Sequence, residues 1–303
     1  MNPTLTVGIP AHNEQATIGD LIQNILEQRA EHFRLEKIIV VCDGCTDNTQ
    51  SVVNEYAQRD ARVMVINDGK RLGKAARLNQ LYQMNKNDLI ATFDADVLPA
   101  SHSELATMVQ VLTTNPRCSL VAAHVEPVKP SKGFIANTLY TNYVLWNMAT
   151  NCINHGDHIH NIHGPASLLT REFARTITYP EHITCDEGYL YMTAKNANGF
   201  RYALDAKILM RPITSLSEMR YGVSRILHER NDLVPYFGES VLAQYHVPLR
   251  HKVTAVIALI FNHPIYTASA ILYNIWIRFF SLSDDLNKQG MWRQANSTKQ
   301  PIK

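Results

Sequence analysis

The chain has 303 residues, of which 46% are hydrophobic and 18% charged, and its formal net charge is +2. This composition fits a globular protein, and the scattered Lys and Arg residues exclude nucleic acid as an expected partner. Five cysteines are scattered along the chain, and the C-x-x-C of Cys42 and Cys45 has no second pair at zinc spacing. We therefore expect a reduced, cytoplasmic compartment rather than zinc or redox chemistry, and no signal peptide.

Short apolar runs alternate with helical patterns along the first hundred residues. The run Lys37–Val41 has too few polar residues to have a solvent-facing side, which is typical of a buried parallel strand. Strands that alternate with helices predict βαβ units and a mostly parallel α/β sheet flanked by helices. The four predicted strands are Leu5–Ile9, Lys37–Val41, Arg62–Ile66 and Leu89–Phe93.

The fourth of these strands ends in two carboxylates, Asp94 and Asp96, separated by Ala95. Side chains two residues apart in an extended chain point to the same side, so both carboxylates can reach one divalent cation. Oxygen ligands suit Mg²⁺ or Mn²⁺, which commonly bind through one or two carboxylates together with substrate phosphates. The alternative interpretation is a strand that ends in an Asp-capped turn.

Polar residues follow each of the four strands. In open parallel sheets the ligand lies outside the carboxyl ends of the strands, so the four loops predict a site for a polar ligand. Neither a G-x-G-x-x-G motif after the first strand nor a P-loop is present, which leaves a nucleotide held by side chains and a metal. The polar residues are His12, Asn13 and Glu14, Asp43 and Asp47, Lys70 and Arg71, and Asp94 and Asp96.

Four motifs together resemble the family 2 glycosyltransferases of GT-A fold over roughly the first hundred residues. They are Gly8–Glu14, Val40–Asp47, Gly73–Asn79 and Phe93–Asp96, in the family's order and spacing. The resemblance implies a GT-A-like, Rossmann-type sheet and a nucleotide-sugar donor, which by family frequency is a UDP-sugar.

The resemblance also implies roles for individual residues. The loop after the first strand and Asp43 would hold the nucleoside, and the Lys70–Lys74 loop would lie near the base and phosphates. Asp94 would face the ribose or the metal, and Asp96 would bind Mg²⁺ or Mn²⁺ on the diphosphate. The donor-binding residues implied in this way are Pro10, Ala11, Asn13, Glu14, Asp43, Arg71, Lys74 and Asp94.

The second half continues the pattern less clearly, with a predicted strand at Ser119–Val125 and a predicted helix at Gly133–Asn154. The following segment, His155–Gly164, contains four histidines in nine residues. Such a cluster can indicate a metal site, but the spacing favours a polar loop that leads into a strand. The next segment, His163–Arg171, resembles the small-residue segment that precedes the family's acceptor site.

Two adjacent carboxylates, Asp186 and Glu187, precede an amphipathic run. One interpretation is a helix N-terminus, where acidic residues are favoured by the helix dipole. The resemblance implies instead that the pair includes the general base, which an acceptor hydroxyl needs in order to become a nucleophile. By register Glu187 occupies the base position and Asp186 would orient the acceptor or the loop; the family more often has Asp at that position, so both assignments stay open.

The segment Ser215–Arg225 has the character of a basic closing loop, in which Arg220 and Arg225 would reach the leaving diphosphate. An exposed helix face is an equally good interpretation. No Q-x-x-R-W motif is present, which argues against processive polysaccharide synthesis.

No Asp, Glu, Lys or Arg occurs from Val253 to Ile277, although Asn262–Pro264 interrupts the apolar run. This stretch predicts a kinked membrane-spanning helix, two helices lying in the membrane interface, or a buried helical hairpin. We expect association with the cytoplasmic face of a membrane.

The expected divisions of the chain are a GT-A domain at 1–230 (nucleotide half 1–100, acceptor half 101–230), a hydrophobic helical segment at 231–283, and a loose polar tail at 284–303.

These features favour an inverting, metal-dependent glycosyltransferase that moves a sugar from a nucleotide diphosphate to a hydroxyl acceptor, for example a lipid-linked acceptor or a polysaccharide precursor. One alternative is a non-catalytic nucleotide-sugar-binding scaffold of the same fold. Another is a sugar-phosphate nucleotidyltransferase, which would be expected to have a glycine-rich basic loop after the first strand, where this chain has Pro10–Glu14.

Overall fold

A computed structural model describes residues 2–181, 183–280 and 296–302, with the backbone alone at 221, 223–229, 278–280 and 296. Eight strands of the described residues form one sheet. They are β1 (Thr4–Ala11), β2 (Arg34–Cys42), β3 (Val63–Asn67), β4 (Leu89–Phe93), β5 (Val97–Pro99), β6 (Leu120–Pro127), β7 (Ala166–Thr170) and β8 (Phe200–Met210).

Twelve α-helices of the described residues pack on this sheet or follow it. They are α1 (Ile18–Leu26), α2 (Thr49–Arg59), α3 (Lys74–Met84), α4 (Glu104–Thr114), α5 (Phe134–Asn151), α6 (Arg171–Thr176), α7 (Asp186–Asn196), α8 (Leu216–Asp232), α9 (Val234–Phe237), α10 (Ser240–Gln244), α11 (Leu249–Ile260) and α12 (Pro264–Phe280). Short 3₁₀ turns occur at Asn154–Gly156, Ile159–Asn161 and Asn296–Thr298.

The strands lie in the order β3-β2-β1-β4-β7-β6-β8-β5. The first four strands of that order run parallel to one another, as the alternation of strands and helices predicts. The next strand, β7, is antiparallel to both of its neighbours, β4 and β6, while β6 and β8 are parallel. The carboxyl ends of β1, β2, β3 and β4 therefore meet at one edge of the sheet.

Continuous apolar sequence explains why the central strands are buried on both faces. All five residues of β4 are buried, and so are the last five of β2. Helices α1, α2 and α4 cover one face, and helices α3, α6 and α7 cover the other. In α1 the buried residues recur at helical spacing, at Ile18, Leu21, Ile22 and Ile25, which places a single apolar stripe against the sheet.

The stretch Val253–Ile277 forms two helices rather than one kinked helix. α11 ends at Ile260, and α12 begins at Pro264, whose ring and missing N–H cannot continue the preceding helix. Both helices pack on α5, through Ala255 of α11 and Ala270 of α12. Within the described residues, no helix is long and apolar enough to cross a membrane.

Two further segments differ from the sequence-based expectation. Most of Ser215–Arg225 belongs to α8. Of the two interpretations of this segment, the structure therefore has the helix and not the closing loop. The expectation of a loose tail from residue 284 is wrong for residues 296–302, which contact the first loop of the sheet edge. Residues 284–295 of that tail lie outside the described residues.

Candidate active site

The loop after β1 is held to the loop after β2 by side-chain hydrogen bonds. The amide oxygen of Asn13 accepts from the Thr46 N–H at 2.8 Å, and the Glu14 N–H donates to the Thr49 hydroxyl at 2.7 Å. Asn13 has φ of 55°, in the left-handed region that Asn tolerates better than most residues. The polar residues that follow β1 and β2 therefore form one connected surface.

Asp43 lies at the end of β2 and is 4% exposed. Its carboxylate accepts from the Leu72 N–H at 2.7 Å, from the Gly73 N–H at 3.0 Å and from Arg77 Nε at 2.9 Å. The residue expected to contact a nucleoside is thus bonded to the loop before α3. Arg71 lies beside it, with Nη1 3.7 Å from Asp43 Oδ2.

An ammonium at the start of α3 joins the two halves of the site. Lys74 Nζ lies 2.8 Å from Asp94 Oδ1, 3.6 Å from Asp186 Oδ2 and 3.7 Å from Glu187 Oε1. Asp94 follows β4, whereas Asp186 and Glu187 open α7. The structure thus brings together carboxylates more than 90 positions apart in sequence, as the motifs predicted for a single site.

Burial and mutual repulsion govern the protonation of this cluster. Burial raises the pKa of Asp186 well above its ordinary value, and the adjacent Glu187 raises it further. Burial alone would lower the pKa of Lys74, but Asp186, Asp94 and Glu187 outweigh it and raise that pKa well above its ordinary value. Lys74 therefore stays protonated and stabilises negative charge on the carboxylates around it.

Gly164 leaves room for the side chains of the cluster. A Cβ at this position would lie 2.3 Å from Glu187 Oε1 and 2.4 Å from Lys74 Nζ, so any larger residue would displace one of them. Gly164 belongs to His163–Arg171, the segment that resembles the small-residue segment before the family's acceptor site. Here its glycine borders the two charged groups directly.

A cavity of ≈ 310 Å³, including solvent space at its mouth, lies beside the cluster. Pro10, Asp94 and Glu187 line it together with two residues that sequence reasoning missed, Tyr82 and Tyr179. Burial raises the pKa of both phenols, that of Tyr82 to about 12, so both stay neutral. No motif marks these tyrosines, because a buried tyrosine, on a helix like Tyr82 or in a loop like Tyr179, gives the same pattern as an ordinary core residue.

Asp94 and Asp96 supply the oxygen ligands that Mg²⁺ and Mn²⁺ prefer. Burial raises the pKa of Asp96, and the charge of Asp94 raises it further, a repulsion that a divalent cation would relieve. In the part of the chain that the structure describes, no group of three or more His, Cys, Asp or Glu residues is placed to hold a metal. The chain leaves β4 in a turn at residues 94–96, so the alternation of an extended strand does not place the two carboxylates on one side. The chemistry of their oxygens fits a cation that takes its remaining ligands from a substrate diphosphate.

The remaining candidate residues lie around this edge. Ala11 is buried at the end of β1, and burial raises the pKa of the neighbouring Glu14 to about 7. Arg220 is half-buried in α8. The side chain of Arg225, in the same helix, lies outside the described residues.

The histidine-rich segment is a loop that leads into β7, as the favoured interpretation predicts, but the loop is packed in the structure and not the flexible one expected. His158 Nδ1 accepts from the His160 N–H at 3.3 Å, and His160 Nε2 lies 3.0 Å from the Tyr245 carbonyl oxygen. The His160 ring also packs edge-on against Trp146, with centroids 4.9 Å apart. Burial lowers the pKa of His158 and His160 to about 4, so both rings are neutral at pH 7.

The curled mixed sheet, with acidic side chains at the carboxyl ends of its parallel strands, is the architecture of GT-A glycosyltransferases. A mannosyltransferase from Pyrobaculum calidifontis, determined with GDP-Man and Mn²⁺, is similar with a TM-score of 0.57 at 20% identity, over 91% of this chain and 88% of that chain. Mannosyl-3-phosphoglycerate synthase from Rubrobacter xylanophilus is similar with a TM-score of 0.55 at 15% identity, over 76% and 74% of the two chains. These likenesses confirm the predicted fold.

The chain belongs to glycosyl transferase family 2, whose model matches residues 6–178. It is 38% identical over 102 residues to the probable glycosyltransferase YdaM of Bacillus subtilis, covering 32% of this chain and 24% of that protein. It is 33% identical over 132 residues to dolichyl-phosphate beta-glucosyltransferase ALG5C of Trichomonas vaginalis, covering 40% of this chain and 39% of that protein. The chain thus matches well under half the length of these relatives, and the predicted family is confirmed.

Proposed function

We propose that this glycosyltransferase moves a sugar from a nucleotide-diphosphate sugar to an acceptor hydroxyl with inversion at the anomeric carbon. The observation that carries the proposal is the meeting of Asp94, at the donor edge, with Asp186 and Glu187 around a single ammonium, Lys74. Family frequency favours a UDP-sugar as the donor. The Pyrobaculum relative was determined with GDP-Man, so both nucleotides belong in the test.

The residues of this chain divide the chemistry between them. Glu187 takes the proton of the acceptor hydroxyl, whose oxygen forms a bond to the anomeric carbon as the bond from that carbon to the diphosphate oxygen breaks. The bonding electrons leave with the diphosphate. Lys74 orients Glu187 through its charge, and Asp186 orients the acceptor or the loop. Asp94 and Asp96 would hold Mg²⁺ or Mn²⁺, which when bound would stabilise negative charge on the leaving diphosphate.

Donor binding is tested by thermal unfolding in the presence of UDP, GDP and ADP, each with and without Mn²⁺. A ligand that binds only the folded state stabilises it by about 2.7 kcal/mol at 100 times its dissociation constant. We expect one nucleotide to raise the unfolding temperature only when Mn²⁺ is present, and Asp96→Ala to abolish that shift. Asp205→Ala, at an exposed carboxylate of β8, is the matched control. No shift with any nucleotide, either for the wild type or for a variant that lacks the Thr298 and Lys299 side-chain contacts to this edge, would refute the donor proposal.

We also propose that the acceptor is lipid-linked and that the protein binds the cytoplasmic surface of a membrane. Support comes from the hairpin face, formed by the exposed apolar residues of α11 and α12. Arg250 and Lys252 near the start of α11 give this hairpin positive charge, which suits anionic headgroups. The hairpin face consists of Leu249, Val253, Ile257, Phe261, Ile265, Leu272 and Ile275, with 46–83% of each side chain exposed.

The membrane proposal predicts that the protein floats with vesicles containing anionic lipid. Replacing Phe261 and Ile265 by Glu is expected to reduce the floating fraction at least about fivefold, because charged side chains resist transfer into the headgroup region. Leu204→Glu places the same charge at a 47% exposed leucine of β8 and is expected to leave flotation unchanged. Flotation of the double variant equal to that of the wild type would contradict the proposal.

A further inference from the structure

Residues 296–302, here called the C-terminal strap, lie across the donor edge of the sheet. The strap contacts the loop after β1 through Lys299 and the end of the β4 motif through Thr298. These are the residues to which the proposed function assigns the nucleotide and the metal. The strap therefore shares its position with the substrate that the site is proposed to bind.

Lys299 is the main contact of the strap with the nucleotide edge. Its Nζ lies 2.8 Å from Glu14 Oε1 and donates to the carbonyl oxygens of His12 and Asn13, both at 2.8 Å. A lysine ammonium has three N–H donors, and these three acceptors account for all of them. Lys299 thus has no donor left for a phosphate, so in this position it blocks the loop instead of assisting a donor.

Thr298 acts on the metal edge of the same site. Its hydroxyl donates to Asp96 Oδ2 at 3.0 Å, an oxygen that a divalent cation on the diphosphate would need. A cation at that oxygen would compete with the hydroxyl proton for its lone pairs. The two contacts together cover the proposed nucleoside loop and a proposed metal ligand with one short piece of chain.

The strap is anchored by residues outside the donor edge. Arg211, which follows β8, donates through Nε to the carbonyl oxygens of Gln300 at 2.9 Å and Pro301 at 3.0 Å. The Ser297 hydroxyl bonds to Glu218 in α8. These anchors hold the backbone of the strap at the site without using any residue assigned to the donor.

We propose that the C-terminal strap is an autoinhibitory element that competes with the metal–nucleotide complex for Glu14, Asp96 and the loop after β1; the inference rests on the proposed function of that site. The strap and the donor exclude each other, so the donor binds only the fraction of molecules in which the strap has left. The apparent dissociation constant is then the intrinsic constant divided by that fraction. Weakening the strap raises the fraction and tightens donor binding.

The test is isothermal titration of the full chain with UDP and with GDP at saturating Mn²⁺. The double variant Thr298→Val with Lys299→Ala removes both side-chain contacts without shortening the chain. We expect it to bind the preferred nucleotide about tenfold more tightly than the wild type, as a rise of the open fraction from a tenth towards one would give. Gln300→Ala, at an exposed side chain of the same strap, is expected to bind like the wild type.

The outcomes separate this inference from the proposed function. If the wild type binds the nucleotide and the double variant binds it with equal or lower affinity, the strap proposal is overturned and the donor proposal stays intact. Lower affinity of the double variant would make Lys299 part of the donor site. Binding by the double variant alone would support both proposals. Absence of binding by either protein would refute the proposed function and the strap with it. Thermal unfolding of each variant without ligand verifies that it is folded.

Discussion

Replacing Glu187 by Gln is expected to lower kcat by at least about 100-fold with little change in donor affinity, because general-base catalysis contributes a factor of this size or more. The amide keeps the volume of the side chain but cannot accept the hydroxyl proton. Glu187 Oε1 lies 3.7 Å from Lys74 Nζ, an arrangement that holds a charged base in position. The measurement is release of nucleotide diphosphate from the donor sugar identified in the binding panel, at saturating donor.

Two companion variants make this result decisive. Asp186→Asn is expected to have a smaller effect, because Asp186 is assigned to orienting the acceptor or the loop and not to taking the proton. Glu126→Gln alters a 44% exposed carboxylate that pairs with Lys207 at the surface, and this control variant is expected to leave kcat unchanged. A full rate for Glu187→Gln with a large loss for Asp186→Asn would move the base to Asp186. Full rates for both variants would show that neither residue is the base.

Replacing Arg77 by Ala is expected to reduce the free energy of unfolding by about 3 kcal/mol or more, the usual effect of removing one partner of a buried ion pair. The Arg77 side chain is 1% exposed, and its Nε lies 2.9 Å from Asp43 Oδ1, at a carboxylate that is 6% exposed. The variant leaves the Asp43 charge buried with a weaker set of partners. It also removes the bond from Arg77 to the Lys70 carbonyl oxygen, so the loop before α3 loses a support.

Arg62→Ala provides the matched control for this stability change. Arg62 pairs with Asp60 at 2.7 Å, but the two side chains are 41% and 26% exposed, so solvent screens the pair. Exposed pairs contribute about 1 kcal/mol or less. Urea denaturation measured for the wild type and both variants gives the comparison. Equal midpoints for Arg77→Ala and Arg62→Ala would show that burial of the Asp43–Arg77 pair adds nothing to stability.

The parallel half of the fold could be predicted because each of its strands has a local signal. The bounds of β4 are those of the predicted strand, since a run of apolar residues bounded by polar ones marks a strand buried on both faces. β5 has no comparable signal, and for β7 the sequence predicted a strand after the histidine-rich segment but not its antiparallel partners. β7 is a strand because β4 and β6 supply antiparallel partners far away in sequence, and β5 has three residues paired with β8.

The site shows the same division between local and distant information. The motifs that hold Lys74, Asp94 and Asp186 predicted a common site, and the structure brings these residues together. Their spacing could not show that the Asp43 carboxylate accepts hydrogen bonds from two N–H groups of the loop before α3. Those bonds involve backbone groups that nearly every residue carries, so no sequence pattern marks them. The C-terminal strap was equally invisible, since a single lysine in a polar tail forms no pattern.

The position of β7 between β4 and β6 determines the order in which the sheet can form during synthesis. β4 is complete once residue 93 has left the ribosome, but its antiparallel partner ends at Thr170. Until then the edge of a strand that is entirely buried in the folded protein has unpaired backbone groups, which is the kind of edge that recruits a wrong partner. Pairing across such sequence distances also slows folding. We therefore expect the nascent chain to depend most on chaperones between these two lengths, and truncations that end between them to aggregate.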